Sequence, residues 1–514
     1  MEKKNRICAY KGDPVVPGVN KKKNGINFAV EVPGDTEASL VLYRKGAAEP
    51  ETEFPFTEEY RTGRMCAMLV TGLRPERYEY NFRIDGKIVQ DPFACVIRGR
   101  EKFGAPLSKD EHEVRCAFLS EKEYDWEGDT APEIPYSEMI LYKIHVRGYT
   151  RQAKLALRKR GTFAGLTEMI PYWKELGINA VELMPAYEFQ ECVQADYAVN
   201  LAVRKKSDDR INYWGYTRGF YFAPKESYCA TKEPDREFRD MIRALHKAGI
   251  ECIMEMYFPK GTPSLQMIRS LWFWKLYYHV DGFHLLGDGV QQDVIERDPI
   301  LYGTKKLFSN VSGEADAENM LAEYNAGFML DMRRFLKSDE GMISGAEFHV
   351  RRNTGNFGTV NYMAAQDGFT LYDTVSYNYR HNEANGEDNR DGSEFNYSWN
   401  CGVEGSTRKT AVRRMREQQM RNAFLMLLLS QGTPMIYGGD EFANSQAGNN
   451  NVWCQDNPTG WTDWKNARRH TGLSSFVKEA IAFRKNHPIL HMPKEMRGVD
   501  YMAKGFPDVS VHGE

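Results

Sequence analysis

An apolar run from Val360 to Ala365 leads directly into Gln366 and Asp367, and a polar, asparagine-rich loop follows, broken by Gly386, Gly392 and Gly402, as far as Gly405. Parallel α/β barrels carry their chemistry at the C-terminal ends of their strands, and a carboxylate is a common agent there. Loops of this length inside a compact domain are uncommon and usually functional. A second acid, Glu255, sits within the apolar run IECIMEMYF, and Asp288 follows VDGFHLL. Carboxyl groups in such positions can serve as acid, base or nucleophile. Other chemistries are disfavoured. The chain has no GxxxxGK[ST] phosphate loop and no clustered His/Cys ligands, so no metal and no cofactor is expected.

The elements that must position these groups fall into two styles. Up to about residue 125 the chain reads as short alternating runs ending in turns, such as GINFAVEV, SLVLYRKG and YEYNFRIDG, which predicts an N-terminal β-sandwich over 1–125. The polar, proline-containing segment 126–136 reads as a linker. From Met139 strands alternate with helices. MILYKIHVR, INAVELMP, IECIMEMYF, VDGFHLL and TPMIYGGDE read as strands; FAGLTEMIPYWKELG (closed by Gly177), DREFRDMIRALHKAG, MIRSLWFWKLYYH, ENMLAEYNAGFMLDMRRFLK and MREQQMRNAFLMLLLSQG read as helices. Repeated βαβ units over this length predict an α/β fold, a (β/α)8 TIM barrel, over 137–514.

The bulk properties bound the setting. A net charge of -3 over 514 residues offers no polyanion-binding surface, so no nucleic-acid partner is expected. No apolar run is long enough to span a bilayer, and the charged N-terminus lacks the apolar core of a secretory signal. Nine dispersed cysteines without a CxxC pair fit reduced thiols, and a cytoplasmic location is expected.

Six motifs in order, GTFAGLTEMIPYWKELGINAVELMPAYEF, INYWGYTRGFYFAPKESY, VDGF, HNEANGEDNRDG, SQGTPMIYGGDEF and GNNNVWCQDN, resemble the isoamylases and bacterial glycogen-debranching enzymes of glycoside hydrolase family 13. The resemblance covers almost the whole chain. It implies a carbohydrate-binding-module-like domain at the N-terminus, the barrel, and a partner that is an α-glucan such as glycogen, starch or branched maltodextrin. The chain ends where members of that family enter a C-terminal β-sandwich; the resemblance implies that this sandwich is missing, and bare barrel surface there would favour self-association.

The same resemblance assigns roles, and several positions depart from it. Retaining hydrolysis needs two carboxyl groups about 5–5.5 Å apart. The family's Gly-Phe-Arg-Phe-Asp is Gly282-Phe283-His284-Leu285-Leu286 here, so Leu286 stands at the nucleophile position and His284 at that of its arginine. Asn310 stands where the acid is expected, Glu255 replaces an aspartate, Pro259-Lys260 replaces Asn-His, and Gln366 replaces the histidine before the retained Asp367. Leucine cannot attack an anomeric carbon. Loss of a nucleophile from a concerted set can lower turnover on the order of 10⁶-fold. The reading is therefore a debranching-family pseudoenzyme that binds α-glucan, alone or beside an active debranching partner. Tyr213, Trp214, Tyr216, Tyr379, His381, Asn382, Asn385 and Trp453 are expected to line its cleft with Glu255, His284 and Gln366. Two alternatives stand beside it: an active α-1,6-glucosidase that uses relocated carboxylates (Asp288, Glu255 or Glu314 with Asp367), and an interaction protein without glucan affinity.

Overall fold

The computed structural model describes residues 6–106, 110–120, 124–192, 210–311, 318, 320–500 and 503–512. Eight parallel strands close into a barrel: β1 (Leu141–Ile144), β2 (Ala180–Leu183), β3 (Glu251–Tyr257), β4 (Gly282–Leu286), β5 (Lys305–Phe308), β6 (Leu321–Asn325), β7 (Gly358–Tyr362) and β8 (Thr433–Tyr437). Each strand pairs with its sequence neighbour, and β8 returns to β1 with Leu141 opposite Met435. This is the (β/α)8 barrel that the strand–helix alternation predicts.

Two antiparallel sheets precede it. One runs Cys8–Lys11, Met65–Thr71, Gly25–Glu31, Gly18–Lys22, and the other runs Val96–Arg98, Arg115–Ala117, Tyr78–Ile84, Ala38–Arg44, Thr52–Pro55. Alternate residues of Gly25–Glu31, Ala38–Arg44 and Tyr78–Ile84 meet in a core of Phe28, Leu40, Leu42, Met68, Tyr80 and Phe82. The pair docks on the barrel through buried charge: Arg98 reaches Glu226 at 3.4 Å, and Arg100 bonds Glu191 while its backbone N–H donates to Glu226 at 2.6 Å.

Three elements differ from the sequence expectation. The stretch ENMLAEYNAGFMLDMRRFLK is not one helix; Leu321–Asn325 is barrel strand β6 and the helix runs Ala326–Leu336. The helix starts where it does because the Asn325 side chain accepts the Phe328 N–H at 3.1 Å, an N-cap inside a continuous apolar pattern. The strand placed at Val360–Ala365 is Gly358–Tyr362, so Gln366 and Asp367 lie on a loop rather than at the strand's last rung. FAGLTEMIPYWKELG splits into Phe163–Thr167 and Ile170–Leu176, because Pro171 belongs to a helix's first turn. The glycine cap at Gly177 holds, with φ 96°.

The loop after β7 is fixed by a buried arginine from the helix that follows β6, Ala326–Leu336. Arg333 donates to the carbonyls of Met363 (2.6 Å), Asn396 (3.0 Å) and Phe369 (3.1 Å). Arg333→Ala leaves three buried acceptors without a donor and is expected to cost about 2–4 kcal/mol in urea unfolding. A loss below about 1 kcal/mol would mean that the loop holds without this clamp.

Candidate functional site

The barrel interior is layered. Leu141, Ala180, Ile253, Leu307, Ala322, Val360 and Met435 form an apolar floor. Residues two apart on a strand share a face, so the next layer up is Lys143 on β1, Glu182 on β2, Glu255 on β3, His284 on β4 and Tyr324 on β6. That layer is charged and buried: Lys143, Glu182, Glu255 and His284 are at most 3% exposed.

The Lys143 ammonium lies 3.3 Å from Glu182 and in contact with Glu255. His284 Nδ1 donates to Glu182 at 2.8 Å and lies 3.7 Å from Glu255. Tyr324 donates to the other Glu182 oxygen and stacks on the His284 ring at 4.1 Å. From a loop above, the Tyr216 hydroxyl donates to Glu255 at 2.6 Å. Two carboxylates are thus matched by an ammonium and an imidazole. Isolated charges in such a place would cost several kcal/mol each; their mutual pairing is what permits burial.

Ionisation follows from this arrangement. Burial alone would raise the Glu182 carboxyl, but Lys143 and His284 outweigh it and hold the group well below its ordinary value of 4.5. Burial disfavours the His284 cation, yet Glu182 outweighs that and raises the group above 6.5. Burial likewise opposes the Lys143 charge, and Glu255 and Glu182 overcome it. Burial, then Glu255, pushes the Tyr216 hydroxyl far above the usual phenol value. The stabilisation from His284 is therefore complete below pH 6.5 and fades as pH rises through the raised value. That from Glu182 is present above pH 4.5 and fades only as pH falls through the depressed value.

Glu182, Glu255 and His284 also place donor atoms within 4.8 Å of one another, a spacing that could hold a metal ion. Lys143 already bonds both carboxylates, and His284 Nδ1 is engaged on Glu182, so this donor set does not fit one.

The other predicted positions divide by location. Leu286 ends β4 on the inward face, two residues above His284, with its carbonyl accepting the Phe258 N–H at 2.8 Å. Asp288 is exposed and lies beyond the end of β4. Gly287 leaves the strand at φ 96°, and a Cβ there would stand 2.5 Å from the Phe258 carbonyl oxygen. Asn310 is exposed just past β5, Lys260 is exposed, Pro259 is half-buried, and Glu314 lies outside the described residues. Gln366 is 8% exposed, and its Oε1 has no protein partner among the described residues; the same holds for His284 Nε2. Asp367 is exposed, and its charge raises Lys143 and the hydroxyls of Tyr216, Tyr362 and Tyr437, which sets it at the barrel mouth.

The loop residues form a separate group. Asn382 and Asn385 are fully buried. Asn382 bonds Asn450 at 2.8 Å, and Asn385 bonds the Asn451 carbonyl at 2.8 Å and the side chains of Asn449 and Gln455. Their amides join two loops, and no free hydrogen-bonding face remains for a sugar. Tyr213 is likewise buried, stacked on His145 at 4.0 Å with its N–H on the Trp453 carbonyl. Trp214 is nearly buried and packs edge-on against Tyr216. Trp453 is half-buried under Arg210. Tyr379 and His381 are exposed. Sequence reasoning missed Lys143, Glu182 and Tyr324. The available signal was a charge in the middle of an otherwise apolar strand, as in MILYKIHVR and INAVELMP.

The chain is 31% identical to the glycogen operon protein GlgX homolog of Haemophilus influenzae, over 92% of this chain and 84% of that protein. It is 30% identical to the chloroplastic isoamylase 1 of Arabidopsis thaliana, over 94% of this chain and 76% of that one. The chain belongs to the isoamylase and GlgX family of glycogen-debranching proteins. No family model matches it. In fold, this family member resembles the apo pullulanase of Paenibacillus barengoltzii, with a TM-score of 0.69, 19% identity, and coverage of 93% of this chain and 81% of that one. The same pullulanase has been solved with maltohexaose and α-cyclodextrin, and that structure aligns at a TM-score of 0.68 with 20% identity, covering 93% of this chain and 82% of that one. Among the described residues, no helix of this isoamylase-family chain is long and apolar enough to cross a membrane.

Lys143→Met removes the ammonium that Glu182 and Glu255 share. It is expected to destabilise the protein by about 3–5 kcal/mol in chemical unfolding, and adding Glu255→Gln should recover part of that. Equal stability of Lys143→Met and the parent would disprove the pairing. In a proton NMR titration the His284 imidazole should titrate above 6.5, and Glu182→Gln should move it down; a midpoint at or below 6.5 in the parent would contradict the assignment.

Proposed function

We propose that this chain is a non-hydrolysing member of its family that binds α-glucan, on its own or beside an active debranching protein, in the cytoplasm. The observation that carries the reading is Leu286: an aliphatic side chain at the inward-facing end of β4, at the position the family pattern gives to the nucleophile. Asn310 at the acid position supports it, since an amide accepts or donates a hydrogen bond but does not protonate a leaving oxygen at useful rates. The charged layer below supports it as well, because Lys143 already engages Glu182 and Glu255. Support for retained sugar binding comes from His284 Nε2 and Gln366 Oε1. Buried polar atoms without partners are rare in native structures, and a sugar hydroxyl is a suitable partner for each. Asp367 at the mouth adds an acceptor.

One observation favours a second reading. Glu182 and Glu255 are close enough to act as a pair in hydrolysis. Lys143 and Tyr216 cap that pair, which weighs against it.

Incubation of the purified protein with glycogen should release no reducing ends above the buffer control, while native electrophoresis in glycogen-containing gel should retard it. Hydrolysis that disappears in Glu255→Gln would establish the second reading instead. Unretarded migration would refute glucan binding.

A further inference from the structure

The segment 395–400 presents aromatic rings to water at alternate positions. Phe395 is 71% exposed and Trp399 38%, with half-buried Tyr397 between them. Tyr379, 73% exposed, belongs to the same strip, because the Asn400 N–H donates to the Asn378 side chain at 2.9 Å and so joins the two segments next to both rings. Exposed large aromatics gathered in one place are unusual on a monomer surface and mark a contact site.

The backbone that carries these rings is held from below. Arg333 bonds the Asn396 carbonyl at 3.0 Å, Thr374 accepts the Trp399 N–H at 2.9 Å, and the buried Arg416 donates to the Asn400 carbonyl at 3.0 Å. Tyr397 adopts φ 49°, a left-handed conformation rare outside glycine, and its ring lies 6.4 Å from Phe395 at an interplanar angle of 26°. Strain of this kind persists where surrounding structure over-determines it, commonly at ligand clamps. Fixed rings give contact area with little ordering cost on binding.

The polar groups beside the rings are amides, carboxylates, an imidazole and a guanidinium, with Arg380 4.0 Å from Glu394. Asn378, Asn400 and Glu404 form a fixed hydrogen-bonding ledge, with Asn400 Nδ2 on Glu404 at 2.9 Å and Glu404 also accepting the N–H groups of Asn378 and Tyr379. His381 meets Glu404 at 3.3 Å. Flat apolar faces edged by neutral amides and a carboxylate match a ligand with apolar ring faces and a hydroxyl perimeter. An α-glucan chain has that chemistry. A protein partner would call for a broader apolar core with its polar groups at the rim.

We propose that Tyr379, Phe395, Tyr397 and Trp399 form a second α-glucan contact, a rim platform for a linear maltooligosaccharide outside the barrel centre. It rests on the reading that this protein binds glucan. Isothermal titration with maltoheptaose tests it. Against the parent, Phe395→Ala/Trp399→Ala should lose about ten-fold or more in affinity, while Phe395→Tyr/Trp399→Phe should stay near the parent value because the rings remain. Parental affinity in the alanine variant would overturn the platform and leave central glucan binding intact. No heat of binding to the parent would overturn both. Unchanged affinity together with an altered oligomeric state by sedimentation would overturn the platform by showing that the rings contact a protein.

Discussion

The Lys143 ammonium between Glu182 and Glu255 is the constraint on which the barrel interior depends. It is a cation with no route to water, and only the two carboxylates make its burial tolerable. His284 completes the layer from the fourth strand, and Glu182 raises its imidazole above the ordinary histidine value against the opposing effect of burial. Four strands are thereby tied through their side chains as well as through their backbone ladder. A barrel floor of aliphatic residues sets the height of this layer, since alternation along each strand leaves no other place for these side chains to point.

Such a layer has a chemical consequence. Carboxylates already engaged by an ammonium are poor general bases and poor nucleophiles, because their lone pairs and charge are committed. On the rung above, Leu286 ends β4 on the inward face with an aliphatic side chain. Around these positions the described residues form a closely tied scaffold. Arg333 and Arg416 clamp the long loop through its carbonyls, and asparagine amides join it to the segment from Asn449 to Gln455. His284 Nε2 and Gln366 Oε1 are buried without a protein partner among the described residues, and Asp367 is exposed.

Much of this was legible in the sequence because period and punctuation carry it. Gly177 marks a helix end that the structure realises with φ 96°, and the apolar runs at β1 to β4 and β8 fall on their strands. Strand β6 was hidden because Leu321–Asn325 merges into an apolar helical pattern, and its boundary is a single capping side chain at Asn325. The substitutions at Leu286 and Asn310 are visible in the motif alone. The charge pairing is not, because Lys143 and Glu182 lie 39 positions apart in the numbering and meet only when the barrel closes. Asn382 and Asn385 show the reverse failure. An asparagine-rich loop reads as a sugar-binding rim, whereas these amides face each other's loops and are saturated. Side-chain type indicates hydrogen-bonding capacity; only the fold decides who receives it.

The central claim is that no carboxylate stands where a covalent glycosyl bond could form. Incubation with a fluorinated glucosyl donor that traps such intermediates, followed by intact-protein mass spectrometry, tests it most directly. The account predicts an unmodified mass after prolonged exposure. A stoichiometric glycosyl adduct on any side chain of the barrel mouth would contradict it.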